Sequence, residues 1–147
     1  MKLFKNLLML VLIVSSVTLV GCSDDDAPAV LVSVNGTVVF NNTDEFNGDI
    51  DGDFSSNGGT ATKSFMWQNA LATADYNADI STSVEGSFRM VVQDANGGVV
   101  LDRSLSGATA PDSISGVTTG GAPGLWTVTI TLTSFTGDGS FSLSEGN

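Results

Sequence analysis

The stretch LWTVTITLTSF, residues 125–135, alternates large apolar side chains with threonines: Trp126, Val128, Ile130 and Leu132 share one parity, Thr127, Thr129, Thr131 and Thr133 the other. Successive side chains of a β-strand point to opposite faces, so this spacing makes one dry face and one wet face. A helix, with its period of 3.6, would scatter the same residues around its circumference. The stretch therefore reads as a half-buried strand, and β-branched threonine, valine and isoleucine favour that backbone.

The same period governs the sequence on either side. In GSFRMVVQDANGGVVLDRSL, residues 86–105, Asn96-Gly97 is a favoured two-residue hairpin turn whose central positions take positive φ. Closing it sets Val92 against Leu101, Met90 against Arg103 and Phe88 against Leu105, which gathers the apolar side chains on one face. Arg103 is the exception, and its alkyl stem can lie on apolar surface while the guanidinium reaches water.

Further strands are expected over 29–34, 37–40, 46–54, 60–67 and 140–144, the last following a TGDG turn at 136–139. Asn69 to Asp79 fits either a short helix or an extended segment. Residues 107–124 read as a long surface loop. Many short strands separated by Gly, Asn and Asp predict an all-β chain, an antiparallel β-sandwich of jelly-roll or immunoglobulin-like type, as a single domain over 29–147.

The amino terminus differs in kind. Lys2 and Lys5 precede an apolar run from Leu7 to Val20, which ends in Leu19, Val20, Gly21 and Cys22, the only cysteine of the 147 residues. As a helix the run would span about 21 Å, short of the roughly 30 Å hydrocarbon core of a bilayer, so it has the plan of a secretory signal. Its ending resembles the lipobox of bacterial lipoprotein precursors. That resemblance implies that residues 1–21 are removed and that Cys22 is lipidated and anchors the chain in a membrane. Ser23, Asp24, Asp25 and Asp26 resemble the signal that sends some Gram-negative lipoproteins to the cell surface, which implies an outer-membrane location. Residues 22–28 also read as an acidic, solvated tether.

Charge narrows the partners. Loss of the first 21 residues removes Lys2 and Lys5, so the net charge falls from −11 to −13, with Lys63, Arg89 and Arg103 the remaining cations. Such a surface repels phosphate backbones, and nucleic acid is not an expected partner. The chain has no histidine. Ser-His-Asp and Cys-His nucleophile sites, and zinc sites built on His or Cys, are thereby excluded. Carboxylate pairs of the kind glycoside hydrolases use remain permitted.

One local constellation stands out, FNGDIDGDF at residues 46–54. Asn47, Asp49, Asp51 and Asp53 alternate with other residues, as in the oxygen-rich half of an EF-hand-like calcium loop, but Gly58 stands where the bidentate Glu should be. The competing reading is a strand with Phe46, Ile50 and Phe54 inward and its carboxylates in water. Trp67 and Trp126 follow the apolar parity and are expected in the core, whereas Tyr76 is a surface candidate for stacking on sugar. Asp112, Ser113 and Ile114 match a short O-glycan attachment pattern or, alternatively, a polar turn after Pro111.

Together these readings predict a surface-exposed, outer-membrane lipoprotein whose sandwich serves binding or assembly, without a required cofactor. An outer-membrane protein complex or an extracellular polysaccharide is the expected partner. A carboxylate-dependent hydrolase of surface glycans and a calcium-stabilised adhesin-like module are the alternatives.

Overall fold

The computed structural model describes residues 29–81 and 83–146. The signal segment, Cys22 and its flanking lipobox and acidic residues lie outside them. The described chain is all β, with strands β1 (Val30–Val34), β2 (Thr37–Val38), β3 (Glu45–Phe46), β4 (Ile50–Asn69), β5 (Ala74–Ile80), β6 (Glu85–Gln93), β7 (Val99–Ser106), β8 (Ser113–Val117) and β9 (Gly124–Glu145).

Two strands dominate. β4 and β9 pair antiparallel along almost their whole lengths, from Ile50 opposite Leu143 to Asn69 opposite Gly124. The first half of β4 and the second half of β9 belong to one layer, ordered β2-β1-β4-β9-β5-β8. Their other halves form a second layer with β3 beside β4, and with β6 and then β7 beside β9. All pairings are antiparallel except the two-residue contact of β3 with β4. The result is an antiparallel β-sandwich whose two layers are halves of the same two strands.

The bend that folds one layer onto the other is written in parity. Trp126, Val128, Ile130 and Leu132 are buried in β9, and beyond the bend the buried residues are Phe135, Phe141 and Leu143. The switch from even to odd falls at Ser134, which takes a left-handed φ of 45° and donates its backbone N–H to Thr60 Oγ1 at 2.8 Å. β4 switches in step: Ile50 and Phe54 are buried before the irregular register at Asn57–Ala61, and Phe65 and Trp67 after it. One extra residue in a strand bends it and turns its side chains over, which keeps both halves of each strand facing the same core.

That core is aromatic. Phe54 from the first layer stacks on Phe88 from the second with ring centroids 4.5 Å apart, and Phe141 lies 6.2 Å from Phe65. Trp67 and Trp126 sit opposite each other in register, edge to face at 5.9 Å, both fully buried as their parity predicts. Their indole N–H groups donate to the carbonyls of Gly48 and Ala122 at 2.7 and 2.8 Å, so neither ring leaves a polar atom stranded.

Several expectations are corrected by these strands. The TGDG stretch at 136–139 is not a turn but the middle of β9, and the two strands expected on either side of Ser55–Gly59 are one. Residues 74–80 are extended and the described residues contain no helix, because β5 has free hydrogen-bonding edges of β8 and β9 on both sides. The expected loop 107–124 contains β8. The hairpin register of β6 and β7 is as the sequence indicates, with Val92, Met90 and Phe88 opposite Leu101, Arg103 and Leu105. Its turn is longer than two residues: Gly97 alone takes positive φ, and Asp94 closes the loop against Gly98.

Candidate functional site

The structure separates the acidic run into two parts. Asn47 and Asp49 are exposed in the link between β3 and β4, whereas Asp51 and Asp53 lie on the outward face of β4, between buried Ile50, Gly52 and Phe54. Asn35, at the tip of the β1–β2 hairpin, accepts the Asp51 N–H at 2.8 Å and donates to the Asp49 carbonyl at 3.1 Å. The strand alternative is thus the one these residues adopt from Ile50 onward. Among the described residues, no three His, Cys, Asp or Glu side chains come together as a metal-holding group.

The outer face of the first layer is acidic and hydroxyl-rich. Asp53 lies opposite Ser33 and Ser140, Ser140 donates to Asp79 at 2.6 Å, and Asp51 faces Ser142 with Asn77 beyond. Asp138 accepts from Ser81 at 3.1 Å and shares a shallow hollow of about 180 Å³ with Asp53 and Leu31. Every carboxylate of this face is at least partly open to water.

The opposite outer face carries Thr129, Thr131, Thr62 and Ser64, whose hydroxyls pair across strands at 2.9 and 3.2 Å. An ion pair joins Arg89 to Asp102 there through two bonds of 2.6 and 2.8 Å. The guanidinium hydrogen-bonded to Asp102 holds that carboxyl below its ordinary range, and Asp102 in turn raises the Arg89 pKa.

A second concavity lies where the layers part between the edge strands β7 and β8. It is a cleft of about 220 Å³ lined by Tyr76, Val99, Leu101, Arg103, Val117 and Thr119, among others. Val99 and Val117 are each 58% exposed, and among the described residues only Phe40, of the large apolar side chains, stands further into water. Tyr76 belongs to the inward parity of β5 and is 8% exposed, which corrects its assignment to the open surface. Its ring passes beneath Gly116, its neighbour in register on β8, and a Cβ there would lie 3.1 Å from the phenol oxygen.

One end of this cleft is closed by hydrogen bonds. Thr119 donates both its N–H and its hydroxyl to the Val100 carbonyl at 3.1 Å, tying the chain after β8 to β7. Thr118 binds Ala74 twice, donating its N–H to the carbonyl and accepting the N–H on its hydroxyl. Asp94 anchors the neighbouring turn: its carboxylate accepts N–H groups of Ala122, Gly98 and Asn96 at 2.8, 2.7 and 3.0 Å. Those donors, Ala122 foremost, hold the Asp94 carboxyl below the usual carboxylate range.

No protein-family model matches the chain, and no curated protein sequence does. Among solved structures, the chain is similar to the pre-peptidase C-terminal domain of a collagenase from Bacillus anthracis, at TM-score 0.45 and 15% identity over 69% of this chain and 92% of that one. It is also similar to the C-terminal carbohydrate-binding module CBM6 of a marine laminarinase from Zobellia galactanivorans, at TM-score 0.43 and 10% identity over 80% and 100% of the two chains.

Sequence reasoning missed the cleft. Val99 and Arg103 come from β7 and Val117 from β8, and only the packing that brings these two edge strands together assembles them. The signal present was Arg103 itself, the one charged side chain on the apolar parity of its hairpin. Ser113 of the glycan-attachment pattern is exposed at the start of β8, while Ile114 packs against the core.

Proposed function

We propose that this chain is a surface-displayed, lipid-anchored binding module of the outer membrane, whose sandwich captures an extracellular polysaccharide without cleaving it. One observation carries the reading: no carboxylate of the acidic face is shielded from water, while the cleft between β7 and β8 combines exposed valines with a phenol hydroxyl and the Asp102 and Arg103 side chains. A general acid needs a carboxyl shielded from water so that it keeps its proton near neutral pH. Asp53 and Asp138, the two carboxylates that share a hollow, are both exposed. A pocket that mixes apolar walls with polar groups suits a sugar ring, which has C–H faces and hydroxyl edges.

The cleft is smaller than the roughly 300–1,000 Å³ of a drug-sized site, so it fits one ring of a chain rather than a long segment. The hydrolase reading keeps Asp53 and Asp138 as its candidates. Titration of the mature chain with soluble polysaccharides, followed by affinity electrophoresis, tests both. Retardation by at least one polymer is expected, lost in Val117→Asp, with no reducing ends released over a day. Release of reducing ends that Asp53→Asn abolishes would instead establish the hydrolase.

A further inference from the structure

The cleft presents a phenol hydroxyl to its opening. Tyr76 is more than nine-tenths buried as a residue, but its hydroxyl, which bonds to no protein group among the described residues, keeps contact with solvent where it lines the cleft. Gly116 leaves the phenol oxygen a way out between the strands, which a side chain there would crowd. This hydroxyl faces the space a ligand would fill.

A second group fixes the ligand's charge. Of the three cations after residue 28, Arg89 is engaged by Asp102, and Lys63 lies on β4, away from the cleft lining. Arg103 lines the cleft, is exposed, and has no ion pair among the described residues. Asp102 also lines the cleft, but Arg89 meets its charge at 2.6 Å, so Arg89, Asp102 and Arg103 together leave one positive charge at the mouth. A guanidinium recognises a carboxylate through two parallel N–H···O bonds, a match that an uncharged sugar cannot offer.

Resting on the polysaccharide-binding reading, we infer that the cleft takes a single carboxylated sugar ring, a uronate at a chain end or branch. The ring lies between Val99 and Val117, its carboxylate meets Arg103, and a ring hydroxyl meets the Tyr76 hydroxyl. A densely charged polyanion is disfavoured, since the surrounding carboxylates repel it beyond the first residue. A peptide strand added to β8 is disfavoured too. β8 offers an edge of only five residues, and the ties of Thr119 to Val100 close the cleft at one end.

Ligand-observed NMR on the mature chain, using free glucuronate, galacturonate, glucose and galactose as probes, tests this. A uronate is expected to bind at least tenfold more tightly than its neutral counterpart, and the preference should weaken as salt rises. Arg103→Gln, an exposed change, should erase the preference while leaving weak binding of both sugar classes. Tyr76→Phe, which keeps the core filled, should weaken both classes several-fold. Equal binding of uronate and neutral sugars by the parent chain would overturn the uronate assignment but leave the polysaccharide reading standing. No binding of any sugar, or displacement of sugar by an uncharged β-forming hexapeptide at lower concentration, would overturn both.

Discussion

Gly52 shows how closely this core is fitted around single residues. It lies directly opposite Phe141 in the β4–β9 ladder, and a Cβ built on it would fall well inside the Phe141 ring. The ring occupies the space that any other residue at 52 would claim, and it also packs near Phe54 and Phe65. Gly52→Ala is therefore expected to destabilise by about 1–3 kcal/mol in urea unfolding, the usual cost of overpacking. Combining it with Phe141→Leu should recover part of that loss, because the two residues are in contact and their effects do not add. From sequence, Gly52 reads as a spacer in an acidic run. Its partner lies 89 residues away in sequence, so nothing local identifies the contact. Trp67 and Trp126 were legible by contrast, since parity alone assigns them to the dry face. Tyr76 shares the inward parity of Ala74, Ala78 and Ile80, but a helix was an equal reading of that segment, and with it the parity was lost.

At the scale of elements, local pattern identifies strands well and strand continuity poorly. The β6–β7 register follows from alternation and a turn signal, both of which are local. The bends in β4 and β9 look like turns because glycines and small polar residues cluster there, yet the backbone passes through them still paired to its neighbour. Ser134 is the hinge of β9, and its left-handed conformation costs an L-residue roughly 1–2 kcal/mol. Ser134→Gly should leave stability within about 1 kcal/mol of the parent, as relief of strain offsets glycine's greater backbone entropy. Ser134→Val should lower it by about 1–2 kcal/mol or more, because a β-branched residue tolerates that region poorly. Equilibrium urea denaturation distinguishes the two, and equal stability of all three proteins would show that the bend does not depend on residue 134. The loop that closes the cleft has its own control in Asp94. Its carboxyl is held below the ordinary value in the folded chain, so its stabilising effect is complete above the unfolded value of about 3.9 and is lost as pH falls through the lower folded value. Asp94→Asn should lower the melting temperature at pH 7 and flatten its decline between about pH 4 and pH 2, a comparison that thermal melts across that range make directly.

For the whole molecule, the consequential feature is how charge is distributed over a fold that is neutral in its interior. The first layer presents Asp51, Asp53, Asp79 and Asp138 to water without a cation on the same face, while Arg89 and Arg103 both lie on the hairpin of the second layer. A body so polarised is repelled by anionic headgroups unless something holds it there, and the proposed anchor at Cys22 supplies that hold. Each buried methylene of an acyl chain contributes about 0.8 kcal/mol, and two or more chains give lasting attachment against such repulsion. Anchor and address are separable by mutation. Cys22→Ala should abolish the acyl mass on the amino-terminal peptide and remove the protein from the outer-membrane fraction. Changing Asp24, Asp25 and Asp26 together to Asn should preserve the acyl mass but leave the protein protected from protease added to intact cells. Mass spectrometry of the amino-terminal peptide reads the first outcome and surface proteolysis the second. An unmodified Cys22 thiol in the parent protein would remove the anchor, and the placement of the cleft outside the cell would fall with it.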